Sequence, residues 1–187
     1  DQNVGSKVIM AMTLLTTNSG TVSTSSFTSS IDSTYKLYIF KFYDVNAATD
    51  TADFQFQANA AGGSGYNETI TSTYFHAYHQ EDDSAYGFGY VGTAGFDQAQ
   101  TTTFQTLNNY TGGGGDESCA GTLWLFNPSS TTYVTHFFAS VIQNRSDEVC
   151  DDQYIAGYFN TTAAIDEIQF KMDSGDMDAV IKMYGVG

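Results

Sequence analysis

Histidines, cysteines and clustered carboxylates are the side chains of this chain with chemistry to offer. The histidines are His76, His79 and His136. His76 and His79 stand three apart, and along a strand that spacing sends them to opposite faces. They cannot then ligate one metal ion unless a bulge intervenes, so both are expected to be polar strand-end residues. Carboxylates gather at Glu81-Asp-Asp83, Asp116-Glu117, Asp147-Glu148, Asp151-Asp152 and across 173–178. Calcium suits acidic loops, because a hard cation takes several carboxylate and carbonyl oxygens. None of these clusters has the spaced acids and closing Glu of an EF-hand, so solvated turns are expected. No metal or other cofactor is assigned.

Catalytic patterns find no support. Gly87-Phe-Gly-Tyr-Val-Gly92 matches G-x-G-x-x-G only as a string, without the strand and helix that give it meaning. There is no Gly-x-Ser-x-Gly elbow and no Walker loop. Nothing selects a carboxylate pair for glycoside hydrolysis. The expectation is a non-enzymatic protein with no catalytic residue. Cys119 and Cys150 flank the segment 123–143. If that segment is a hairpin turning at Asn127-Pro128, its ends lie close, and the pair is either one disulfide or two free thiols. Glycosylation sequons occur at Asn67, Asn109, Asn144 and Asn160, little more than chance supplies. Tyr86, Phe88 and Tyr90 lie in a Gly-rich stretch read as a loop. Sugar faces stack on exposed aromatics, which makes these three the candidate glycan contacts, against ordinary burial in a core or interface.

The elements that must position these residues are strands. Tyr35 to Tyr43 is aromatic-rich and apolar on both faces over much of its length, the pattern of a central strand packed on both sides, or of one packed on one side and buried by a partner on the other. Asp53 to Ala58 alternates, with Phe54 and Phe56 expected inward and Gln55 and Gln57 outward. Further strands are expected over 68–79, 122–126, 131–143, 154–159, 168–172 and 180–184, with weaker signals over 7–15 and 21–28. A helical turn is allowed within 96–107. Turns are expected at Asn18-Ser-Gly20, Gly62 to Gly65, Asn127 to Ser130 and Asp173 to Asp176, the last as a hairpin. Gly112 to Asp116 reads as a flexible loop. About ten short strands at this spacing predict an all-β antiparallel β-sandwich, jelly-roll-like, in one domain over 1–187, with 1–20 as an extended N-terminal segment. The expected core is Phe40, Phe42, Phe54, Phe56, Trp124, Phe126, Phe137, Phe170 and Ile181.

Composition narrows the function classes. Six Lys+Arg stand against 21 Asp+Glu, a net charge of −15. Nucleic-acid binding and docking on an anionic membrane both need a basic surface that six cations cannot build. Hydrophobic residues at 41% still suffice for a core.

Several stretches carry a family likeness. They are Ser25 to Phe42, Asn46-Ala-Ala-Thr-Asp50, Phe75-His-Ala-Tyr-His79, Leu125 to Ser130, Ala156 to Thr162, Ile165 to Gly175 and Ile181-Lys-Met-Tyr-Gly-Val186. In these the chain resembles uncharacterised structural proteins of tailed phages of marine bacteria, from about Met12 onward. Cys119 and Cys150 fall where such proteins carry variable loops, so the resemblance does not support a bridge. It implies a virion component on the head or tail surface, assembled in the host cytoplasm and without an active site. The expected role is a capsid decoration (cement) protein or fibre subunit that stabilises the particle by packing. Its expected partners are further copies of itself, as a trimer by fold-level analogy with other jelly-roll virion proteins, and the major capsid protein or other virion proteins. The alternative is a carbohydrate-binding module for host surface glycans at a tail or head fibre.

Overall fold

The computed structural model describes residues 11–187. Among these there is no helix, and 62% of them are in strands. The thirteen strands are β1 (Met12–Val22), β2 (Ser25–Phe27), β3 (Leu37–Ala47), β4 (Ala52–Ala60), β5 (Ile70–Gln80), β6 (Tyr86–Tyr90) and β7 (Ala99–Thr101). The second half supplies β8 (Gln105–Thr111), β9 (Ser118–Phe126), β10 (Thr135–Asn144), β11 (Val149–Phe159), β12 (Ile165–Met172) and β13 (Met177–Val186). They form two antiparallel sheets. The large one runs β1-β13-β3-β9-β10-β11-β5-β6, with β7 also on β5, and the small one runs β2-β12-β4-β8. The fold is therefore the expected all-β sandwich. Its division into nine and four strands differs from the two four-stranded sheets of a jelly roll.

Alternation decides what lies between the sheets. Tyr38, Phe40 and Phe42 of β3 point inward and are fully buried, as are Phe54 and Phe56 of β4 and Phe170 of β12. Phe170 is the hub: its ring lies 5.2–6.2 Å from those of Phe27, Phe40, Phe42, Phe54 and Phe56. Edge-to-face and offset contacts of this kind add to plain burial. Toward β8 the interior turns polar. Gln105, Asn108, Gln143, Gln153 and Asp151 are all buried there, and they are bonded to one another, to Ser72 or to backbone.

Several expectations are corrected here. Trp124 and Phe126 face out of the sandwich, because Leu123 and Leu125 take the inward positions of β9. Gln57 is not solvent-facing. It is fully buried, and its Nε2 donates to the carbonyls of Glu68, Thr102 and Thr103. Asp173 to Asp176 joins β12 of one sheet to β13 of the other, so it is a corner between layers and not a hairpin. Asn18 to Gly20 lies inside β1 and makes no turn, and the residues from Met12 onward form an edge strand paired with β13. The start of the strand expected over 7–15 lies outside the described residues. The segment 96–107 holds β7 and the start of β8 in place of a helical turn. The Gly112 to Asp116 loop is clamped, because Asn46 Nδ2 donates to the carbonyls of Gly112, Gly114 and Glu117 at 3.2, 2.9 and 2.6 Å.

Candidate functional site

The large sheet has one face on the core and one face that no strand covers among the described residues. Strand pairing sets its outward side chains in rows across the sheet. One row reads Leu14, Tyr184, Ile39, Trp124, Phe138 and Ala156, on six neighbouring strands. A flanking row carries Val186, Leu37, Phe126, His136 and Tyr158. On the other flank stand Lys182, Lys41, Thr122, Ser140, Tyr154 and Phe75. Trp124 stacks on Phe138 with ring centres 5.1 Å apart, and Phe75 on Tyr154 at 5.1 Å. Rings stacked side by side in this way present a broad apolar surface at little cost in side-chain entropy.

The aromatic surface continues to the sheet edge. Tyr86, Phe88 and Tyr90 form the strand β6, not a loop, and are 75%, 75% and 59% exposed. They share the outer face with Phe75, which lies 5.7 Å from Phe88. The glycines between them face inward. A Cβ at Gly87 would lie 2.7 Å from the Tyr78 ring, so that ring favours glycine there, while a Cβ at Gly89 would meet nothing. Tyr90 donates its hydroxyl to Asp97 Oδ2 at 2.9 Å, and that hydrogen bond pushes the phenol up from its ordinary value. Asp97 also lines an open cleft of about 580 Å³ with Gln55, Thr103, Phe104 and Lys171. Lys171 Nζ sits 4.3 Å from the centre of the Phe104 ring.

The other candidates are kept apart. His79 faces outward beside Asp83, and His76 faces inward, on the opposite side of β5 as their spacing required. His76 Nδ1 lies 3.0 Å from Asp151 Oδ1, a pairing 75 residues apart with no local signature. Asp151 is fully buried, and its second oxygen accepts from Gln153 Nε2 at 3.0 Å and Arg145 Nη1 at 3.4 Å. Arg145 also reaches Asp147 and lies over the Tyr110 ring at 4.7 Å. This cluster ties β5, β8, β11 and the β10–β11 turn together. The carboxylate is saturated by its partners, which suits a fastener. His136 stands in the outer row beside Tyr158.

The β9–β10 hairpin is as expected, with Cys119 opposite Gln143. The disulfide drawn from it is not present: both cysteines are free, Cys119 buried and Cys150 exposed. Cys119 points into the core and Cys150 outward from β11, with β10 between their strands. A bridge cannot pass through a sheet. Glu81, Asp82, Asp147 and Glu148 converge on an open cleft of about 490 Å³, where the Glu81 charge pushes Glu148 up from its ordinary value. Among the described residues no group of three or more His, Cys, Asp or Glu is placed to hold a metal ion. Of the sequon residues, Asn67 and Asn160 are exposed and Asn109 and Asn144 half-buried.

The residues thus define an all-β sandwich with one broad aromatic sheet face. No protein-family model, curated protein or solved structure matches the chain.

Proposed function

We propose that the protein is a non-enzymatic structural subunit that works by packing, and that its working part is the outer face of the nine-stranded sheet. The carrying observation is the outward row from Leu14 through Tyr184, Ile39, Trp124 and Phe138 to Ala156, over which no strand lies among the described residues. Contiguous apolar patches of this breadth on a soluble surface mark interaction sites. The resemblance in the sequence supplies the setting: a decoration (cement) protein or fibre subunit on the surface of a virion. There it would meet copies of itself and the major capsid protein or its neighbours. The test is to add the purified chain to capsids lacking it and measure sedimentation with the particles and resistance to heat. Co-sedimentation with a raised disruption temperature is expected, and no binding overturns the virion role.

A second reading is favoured by the β6 edge. Tyr86, Phe88 and Tyr90 give three exposed rings in one line, with the Asp97 carboxylate beside the last. Sugar rings stack on such faces while carboxylates and amides take their hydroxyls. Binding to host surface polysaccharide that is lost in Tyr86→Ala and Phe88→Ala would establish it, and an unlabelled glycan array would remove it.

A further inference from the structure

The outer face of the large sheet differs from the rest of the surface in charge as well as in polarity. The three rows from Val186, Leu14 and Lys182 hold no carboxylate, in a chain with 21 Asp+Glu. They carry instead Lys41 and Lys182, directly opposite each other on β3 and β13. Neither lysine makes an ion pair among the described residues. The next row carries Asp152 on β11, beyond the sheet's midline, where it accepts the Tyr154 hydroxyl at 2.9 Å. The outer side of the small sheet is unlike this, with Asp53, Gln55, Gln169 and Lys171 among its residues.

We propose that this face is closed by the same face of a second copy, in a two-fold dimer whose axis runs along the strands between β9 and β10. The proposal rests on the reading of this face as an assembly surface and names its occupant. The strand order β13-β3-β9-β10-β11-β5 is balanced about that line. The axis therefore lays β3 over the second copy's β11, and β13 over its β5. Trp124 and Phe138 then meet Phe138 and Trp124 of the other copy, four rings at the centre of the contact. Lys41 comes over the strand that carries Asp152, so a lone cation gains the carboxylate its own chain does not supply. An axis across the strands would instead lay β3 on β3, leaving Lys41 three strands away from the second copy's Asp152.

Size and symmetry agree. The six strands that the axis overlays, spaced about 4.8 Å and each with four outward residues about 6.7 Å apart, cover on the order of 800 Å². A stable interface takes roughly 800 Å² per partner. Sheets pack face to face, aligned within about 30°. A two-fold contact uses one self-complementary patch, whereas a ring of three needs two different ones. Among the described residues the acid-free apolar face is a single patch, which favours two copies over the three expected from analogy.

Light scattering on the 187-residue chain at high micromolar concentration tests the idea, and twice the chain mass is expected. Trp124→Glu should weaken association about tenfold or more, because it puts a charge among the central rings. Its circular dichroism and melting should stay near wild type, since Trp124 faces away from the core. Asp152→Lys should also weaken association, and adding Lys41→Asp in the same chain should restore it. A single-chain mass, a three-chain mass, or no rescue by the charge swap each overturns the proposal. Binding to depleted capsids separates the two claims. A monomer that binds them through Trp124 leaves the structural role standing and gives the face to a shell protein. A dimer that ignores them keeps this interface and ends the virion reading.

Discussion

Cys119 and Cys150 show how burial decides the fate of a side chain. Burial pushes the Cys119 thiol well above its ordinary value, while Cys150 is open to solvent. The thiolate is the reactive form, so the two differ in reactivity. Iodoacetamide without reductant should add one label to the native protein, at Cys150, and two after denaturation, as read by intact mass. Asp53 is the second case. Burial, with repulsion from Asp173, raises its pKa from 3.8 to about 6, against a hydrogen bond donated by the Tyr110 backbone. Between those values the folded chain holds a proton that the unfolded chain has released, so stability falls as pH rises through the window. Asp53→Asn keeps an oxygen to accept from Tyr110 and removes the charge. Melting curves should place the variant level with wild type below pH 4 and above it beyond pH 6.

Among elements, β12 and the β10–β11 turn hold the two ends of the sandwich by different physics. β12 supplies Phe170, on which five other rings converge. Phe170→Ala leaves a cavity and should cost about 3–5 kcal/mol in urea unfolding. The turn supplies Arg145, mostly buried against the fully buried Asp151. Arg145→Ala strands that carboxylate with only His76 and Gln153, and should cost about 3 kcal/mol. The strand β3 joins these ends to the outer surface. Its inward residues were legible from alternation, and so was the apolar character of its other side. What covers that side was not, because a row across a sheet exists only once the neighbouring strands are known.

For the whole molecule the net charge of −15 opposes any contact between copies. The acids collect in the turns, while the outer sheet face is nearly free of them. Bringing two copies together still brings two acidic bodies together, and salt screens that repulsion. The screening length falls from about 30 Å at 0.01 M salt to about 8 Å at 0.15 M. Association of the chain, measured by sedimentation, should therefore tighten over that range. A contact made mainly by Lys41 and Asp152 would loosen instead.

Read alone, the sequence determined the all-β class, the hairpin at Asn127-Pro128, the separation of His76 from His79, and most of the aromatic core. Each follows from local rules, a period of two and turn chemistry, that need no knowledge of distant residues. It also singled out Tyr86, Phe88 and Tyr90, though as a loop. Tertiary structure decided the rest. Both faces of β9 are apolar, so alternation could not say whether Trp124 and Phe126 or Leu123 and Leu125 turn inward, and a one-residue slip exchanges them. Pairing with β3 and β10 settled it, and set Trp124 in the outer row. The same pairing put Cys119 and Cys150 on opposite sides of the sheet. Non-local register made both the site and the correction, because a sheet's surface belongs to no single stretch of chain.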